Sequence, residues 1–105
     1  MGTHHEKITE PTYRLADLKS IVRSRRQQAF TSSALDGIVL LGMSVQDAID
    51  CIDNLRMNCF YKSMPSKKDP GFFQDVYHGK HWDKEIYIKF TWYSHGPVVI
   101  SFKER

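Results

Sequence analysis

Cysteine, proline, glycine and long apolar runs are all scarce in this chain. Of 105 residues only two are cysteines, Cys51 and Cys59. Their spacing fits no metal-ligand motif and gives no disulfide framework, so both read as small buried groups. The longest purely apolar run, Ile38 to Leu41, is far too short to cross a bilayer. The opening Met1-Gly2-Thr3-His4-His5-Glu6 lacks the apolar stretch of a secretory leader, so the expected compartment is the cytoplasm. Neither a glycine-rich phosphate loop nor a Ser/His/Asp pattern is present. There is no internal repeat, low-complexity tract or linker.

What is present suffices for one small core. An apolar fraction of 41% with 12% aromatics fits a soluble globular chain, and 105 residues make a single domain spanning 1–105. The net charge of +3 conceals an asymmetry. Residues 1–60 carry seven basic and seven acidic groups, whereas residues 61–105 carry eight and five. Basic residues gather in Arg14–Arg26 and in the second half. Such a surface suits a polyanionic partner, although +3 alone carries little weight.

Residues 1–12 read as a loose N-terminal arm. From Arg14 to about Gln27, Leu15, Leu18 and Val22 recur at helical spacing. Thr31 and Ser32 offer capping oxygens for a second helix with Ala34, Leu35, Ile38 and Leu41 inward, and Gly42 is placed to end it. Ser44 with Asp47 makes a capping box for a third helix, whose apolar stripe is Val45, Ala48, Ile49, Ile52 and Leu55. After Asn58 the period changes to two. Strands are predicted at about 59–64, 72–78, 85–93 and 97–103, with a basic loop at Pro65–Gly71 and a second connection at His78–Lys84. Helices followed by a strand meander indicate an α+β fold, three N-terminal helices packed on one face of an antiparallel sheet.

The last two strands can be registered. Ile86, Ile88, Phe90 and Trp92 alternate on one, Val98, Ile100 and Phe102 on the other, and both sets should face the helices. A turn at Ser94-His95-Gly96 would pair Trp92 with Val98, Phe90 with Ile100 and Ile88 with Phe102. The same register sets Tyr87 opposite Lys103 on the open face, with Lys89 and Arg105 beside them. The alternative is a solvated face that only keeps the sheet soluble. Parity does not decide which way Lys62 and Gln74 point, because their segments are apolar on both phases. Two lysines, a tyrosine and a glutamine on one rigid face would suit a phosphodiester whose charge must be balanced during cleavage.

Four blocks carry a family resemblance: Phe60-Tyr61-Lys62-Ser63-Met64, Gln74-Asp75-Val76-Tyr77, Tyr87-Ile88-Lys89 and Val99-Ile100-Ser101-Phe102-Lys103-Glu104. Together with Arg14-Leu15, Ser33-Ala34-Leu35 and Leu41-Gly42, they resemble the MqsR family, the motility quorum-sensing regulator toxins, from Pro11 onward. The resemblance implies a RelE-like or microbial-RNase-like fold. It also implies a bacterial type II toxin, an mRNA endoribonuclease that cuts single-stranded RNA at GCU-like sites. Such a toxin needs no metal or other cofactor, and is silenced by a zinc-containing, helix-turn-helix, DNA-binding antitoxin. It places the catalytic groups on Lys62, Gln74, Tyr87 and Lys103, and Tyr61 in the site; Lys89 and Arg105 join them as RNA-binding groups. The Pro65–Gly71 loop, His78–Asp83 and the turn near Ser94 depart from the family pattern.

RNA supplies its own nucleophile, the 2′-hydroxyl. The protein has to move two protons and stabilise a five-coordinate phosphorus, leaving a 2′,3′-cyclic phosphate and a 5′-hydroxyl. Which group is base and which is acid does not follow from the sequence. His78, His81 and His95 read as loop histidines beside the strands, with His78 of most interest because it follows the Gln74–Tyr77 block. The rival classes are a non-catalytic RNA- or ribosome-binding module using the basic helix and aromatic strands, and a pure interaction domain.

Overall fold

The computed structural model describes residues 9–69 and 71–105, so His4, His5 and most of the predicted arm lie outside the described residues. Three helices, α1 (Leu15–Arg25), α2 (Ser32–Leu40) and α3 (Val45–Asp53), precede four strands, β1 (Phe60–Pro65), β2 (Phe73–His81), β3 (Lys84–Phe90) and β4 (Val99–Glu104). The strands form one antiparallel sheet in the order β1-β2-β3-β4. This is the α+β arrangement expected from the change of period. Among the described residues no helix is long and apolar enough to cross a membrane.

The caps follow the side chains that make them. Thr31 Oγ1 accepts from the Ala34 amide at 3.1 Å, and Ser44 and Asp47 form the reciprocal capping box. Gly42 ends α2 at φ 71°, a left-handed value that costs glycine nothing. The core lies between the helices and one sheet face, with Leu18, Val22, Ile38, Ile49 and Ile52 against Tyr77, Ile86, Ile88, Phe90 and Phe102. Cys51 is buried there, which pushes its thiol up to about 12, with Cys59 adding to the rise.

Two glycines set how closely the layers meet. A Cβ on Gly37 would lie 1.8 Å from the Phe102 carbonyl oxygen, so only glycine lets α2 lie this close to β4. A Cβ on Gly79 would lie 3.0 Å from the Leu55 side chain. Gly79 pairs with Ile86 inside β2, so the connection expected at His78–Lys84 is instead the end of β2, a two-residue turn at Trp82 and Asp83, and the start of β3. Trp82 takes φ 57° in that turn, which its bulk does not advertise. His78 and His81 are strand residues, not loop residues.

The other hairpin departs from its expected register at one end. Tyr87 faces Lys103 and Ile88 faces Phe102, as read from alternation. Phe90, however, pairs with Val99, and a bulge leaves Ile100 as an extra residue turned toward the open side. The cause is the Phe30 segment. It bridges Val99 in parallel, Thr31 donates its amide to the Val99 carbonyl, and Val98 donates to Ala29. Val99 keeps its pairing with Phe90 and the Val98 carbonyl still accepts from the Thr91 amide, but the ladder goes no further, so Trp92 has no ladder partner and Ser94-His95-Gly96 sits in a longer connection. Trp92 packs against Tyr13 instead, ring centroids 6.1 Å apart.

The end of the predicted arm is fastened. Buried Asp75 accepts from the Thr12 and Tyr13 amides at 3.1 and 2.9 Å, and Thr12 shares a hydroxyl hydrogen bond with Ser63.

Candidate active site on the open sheet face

With one face committed to the core, alternation sends every second side chain of each strand outward. The printed registers then fix which of these are neighbours. Lys62, Val76, Lys89 and Ser101 form one row across all four strands. His78, Tyr87 and Lys103 form the next. Gln74 stands on the other side of the first row, opposite Met64. Successive rows are two residues apart along the strand, about 7 Å. Lys62, Gln74, Tyr87 and Lys103, drawn from four strands, thus share one face, and the orientation that sequence parity left undecided for Lys62 and Gln74 is outward.

Lys62, Gln74, Lys89 and Ser101 line a cleft of about 770 Å³ that continues past Lys67, Lys68 and Asp69 to Thr31, Ser33 and Tyr93. Four of its lining residues are lysines, against one carboxylate. Charge crowding is felt most by Lys89. Burial, and then the charges of Lys103, Lys62 and Lys67, push its ammonium below the usual lysine range. Tyr87 moves the other way: burial first, then Tyr61, push its phenol up, so it keeps its proton at neutral pH.

Aromatic rings floor the second row. Tyr61 stacks on His78, centroids 4.3 Å apart and planes at 23°, and His78 lies 6.2 Å from Tyr87. Burial and then Arg105 lower the pKa of His78, with Glu85 opposing. The Lys62 Nζ is 5.5 Å from the Tyr61 ring centre and the Lys103 Nζ 5.1 Å from that of Tyr87, so two ammonium groups rest over aromatic faces. Arg105 lies at the margin, bonded to Glu85 at 2.8 Å.

The basic first helix is otherwise occupied. Lys19 donates to the carbonyls of Asp53 and Leu55, Arg23 pairs with Asp53, and Arg25 donates to the Gly96 carbonyl. These bonds join α1 to α3 and to the β3–β4 connection. A separate groove of about 590 Å³, lined by Pro11, Tyr13, Leu15 and Met57 among others, contains none of the open-face groups. Among the described residues no cluster of three or more His, Cys, Asp or Glu side chains could hold a metal ion.

Sequence reasoning undervalued three features of this face. His78 was assigned to a loop, yet continuing the alternation Gln74, Val76, His78 would have set it on the same face as Gln74, where it pairs with Tyr87. The lowered pKa of Lys89 comes first from burial and then from Lys103 and Lys62, and neither its burial nor the orientation of Lys62 could be read from single-strand parity. Asp69 and Tyr93 join the cleft through a tertiary hydrogen bond of 3.1 Å between residues far apart in sequence.

Comparison with known proteins gives two findings. A family model described as motility quorum-sensing regulator, toxin of MqsA, matches residues 10–104. The mRNA interferase toxin MqsR of Escherichia coli (strain K12) is 34% identical over 100 residues, which is 95% of this chain and 99% of that protein.

Proposed function

The chain belongs to the MqsR toxin family and is a toxin endoribonuclease; from that premise we propose that it cuts single-stranded mRNA on the open sheet face, by attack of the 2′-hydroxyl on the adjacent phosphorus. The observation that carries the proposal is the direct pairing of Tyr87 with Lys103 on the face that also bears Lys62, Gln74 and Lys89.

Lys62 and Lys103 hold the non-bridging phosphate oxygens and balance the charge that grows on them. Gln74 donates an amide N–H to the phosphate or orients the 2′-hydroxyl. Lys89, whose ammonium is pushed below the ordinary lysine range by burial and its cationic neighbours, accepts the 2′-hydroxyl proton as a free amine. Tyr87 keeps its proton at neutral pH and passes it to the departing 5′-oxygen. The phosphorus–O5′ bond breaks as the O2′–phosphorus bond forms, giving a 2′,3′-cyclic phosphate and a 5′-hydroxyl. Tyr61 offers a stacking surface to a base, and Arg105 a charge at the margin. A second reading gives proton acceptance to His78, because its lowered pKa leaves it uncharged at neutral pH and it stands beside Tyr87.

The cuts fall at GCU-like sites in cytoplasmic message, no metal is required, and a cognate zinc-containing, helix-turn-helix antitoxin silences the enzyme. The family resemblance supports these points. The alternative is a non-catalytic RNA- or ribosome-binding module. Incubating the purified protein with single-stranded RNA and EDTA decides between them, because only an enzyme produces new 5′-hydroxyl ends. Lys62→Ala, Tyr87→Phe and Lys103→Ala should each slow cleavage by ~10²–10³. Near-full activity in all three would remove the assignment.

A further inference from the structure

The cleft is larger than a phosphate needs, and its two ends differ chemically. At the sheet end stand Lys62, Gln74 and Lys89. At the other end lie the cleft's one carboxylate, Asp69, and Tyr93, on and beside the loop that also carries Lys67 and Lys68, with the Tyr93 hydroxyl donating to Asp69 Oδ2 at 3.1 Å. We propose that this far end is a nucleobase subsite, in which Asp69, braced by Tyr93, reads the Watson–Crick edge of a guanine flanking the scissile phosphate. The proposal rests on the ribonuclease reading of the open face and extends it to the choice of substrate.

Four observations support it. A carboxylate repels phosphate, so a strand drawn in by the lysines would present a base, not its backbone, to Asp69. The carboxylate is held in place: Asp69 donates its amide to Ser66 Oγ at 3.2 Å, and its carbonyl accepts from the Phe72 amide at 2.9 Å. The ring of Phe72 meets that of Tyr93 edge-on, centroids 4.6 Å apart, which joins the loop to the β3–β4 connection. Finally, a volume of about 770 Å³ falls within the range of small-molecule sites, leaving room for a base beyond the phosphate.

The chemistry selects among the bases. A carboxylate only accepts hydrogen bonds. Guanine offers two adjacent N–H donors, N1–H and N2–H, which match two carboxylate oxygens. Cytosine and adenine each offer an amino group beside an acceptor. Uracil offers one N–H between two carbonyls that the carboxylate repels. The preference expected at this subsite is guanine, then cytosine or adenine, then uracil.

The test uses the full chain and combines cleavage with binding. Single-stranded oligonucleotides carrying each of the four bases at each position flanking one cut are digested by the wild type, Asp69→Asn and Tyr93→Phe. At one flanking position Asp69→Asn should lower kcat/KM for the guanine substrate roughly 10- to 100-fold and leave the other three within about threefold. Tyr93→Phe should shift the same preference less. An equal loss for all four bases would make Asp69 a brace for its loop and overturn the proposal, as would an unchanged preference. In the binding arm, an uncleavable 2′-deoxy dinucleotide containing guanine is titrated against the labelled protein. Amide shifts at Asp69 and Tyr93 that vanish in Asp69→Asn are expected; shifts confined to the sheet rows overturn the subsite. If no RNA is cut but those shifts persist, the ribonuclease reading fails and the subsite stands.

Discussion

Lys89 owes its properties to its neighbours. It sits between Val76 and Ser101 in the row that ends at Lys62, and three lysine charges act on it. A lysine is charged below its pKa and becomes a base above it. Because this pKa is lowered, the free amine accumulates at a lower pH than it would for an isolated lysine. The rate should therefore climb with pH through a range below 10.5, and Lys89→Arg should abolish that climb while conserving charge. A pH–rate profile checks this. An inflection below 6.5 that disappears in His78→Gln would transfer the role to His78, whose pKa is lowered from that value. Sequence revealed the identity of these groups but not their coupling. Tyr87 and Lys103 were legible as a pair because both lie in one hairpin with clean alternation. Lys89 takes its character first from burial and then from Lys103, Lys62 and Lys67; its burial and the approach of Lys62 come only with the assembled sheet.

Elements in this fold are set by glycine as much as by apolar pattern. On helix propensity alone Gly37 is a poor residue for the middle of α2. Its role is steric, with the backbone of β4 occupying the space a methyl would need. Gly37→Ala should lower stability by about 3 kcal/mol despite improving helix propensity, measured by urea unfolding. An unchanged midpoint would mean that α2 and β4 separate without cost. The same principle explains why β2 was read too short. A glycine within a polar stretch signals a turn when only the local chain is visible, whereas the tight space at Gly79 is set by Leu55, which follows α3 and is distant in sequence. Helices α2 and α3 were legible because Thr31 and Ser44 cap with their own side chains, and α1, which no side chain caps, because Leu15, Leu18 and Val22 recur at helical spacing. The start of β4 was not, because Val99 is claimed by Phe30, a pairing between distant segments.

At the scale of the molecule, charge is sorted by face. The cations of α1 are engaged by carbonyls and carboxylates of the same chain, whereas Lys62, Lys67, Lys68 and Lys89 converge on one cleft. RNA affinity should accordingly fall with salt at a log–log slope of about −2 to −3, as for three or four phosphates on a single strand. Removing Lys62 should reduce that slope by roughly 0.7, whereas Arg23→Ala should leave it unchanged. Fluorescence anisotropy with a labelled oligonucleotide across a salt series measures both. The layer order was legible in the sequence because amphipathic period reports which face is buried. The sorting of charge was not, since a list of lysines does not say which of them the fold has already paired.

Val76 points to the wet side of the sheet, yet none of its surface is exposed. It lies directly between Lys62 and Lys89, whose hydrocarbon stems are placed to roof it. A greasy residue at this spot works as a spacer, keeping two mutually repelling head groups upright and apart on a surface where either could otherwise swing free. Shaving it to alanine should leave every titrating group intact and still slow cleavage about tenfold, with kcat falling more than KM rises. Steady-state kinetics on Val76→Ala would show whether the distance between two charges, and not merely their number, sets the speed of this catalyst.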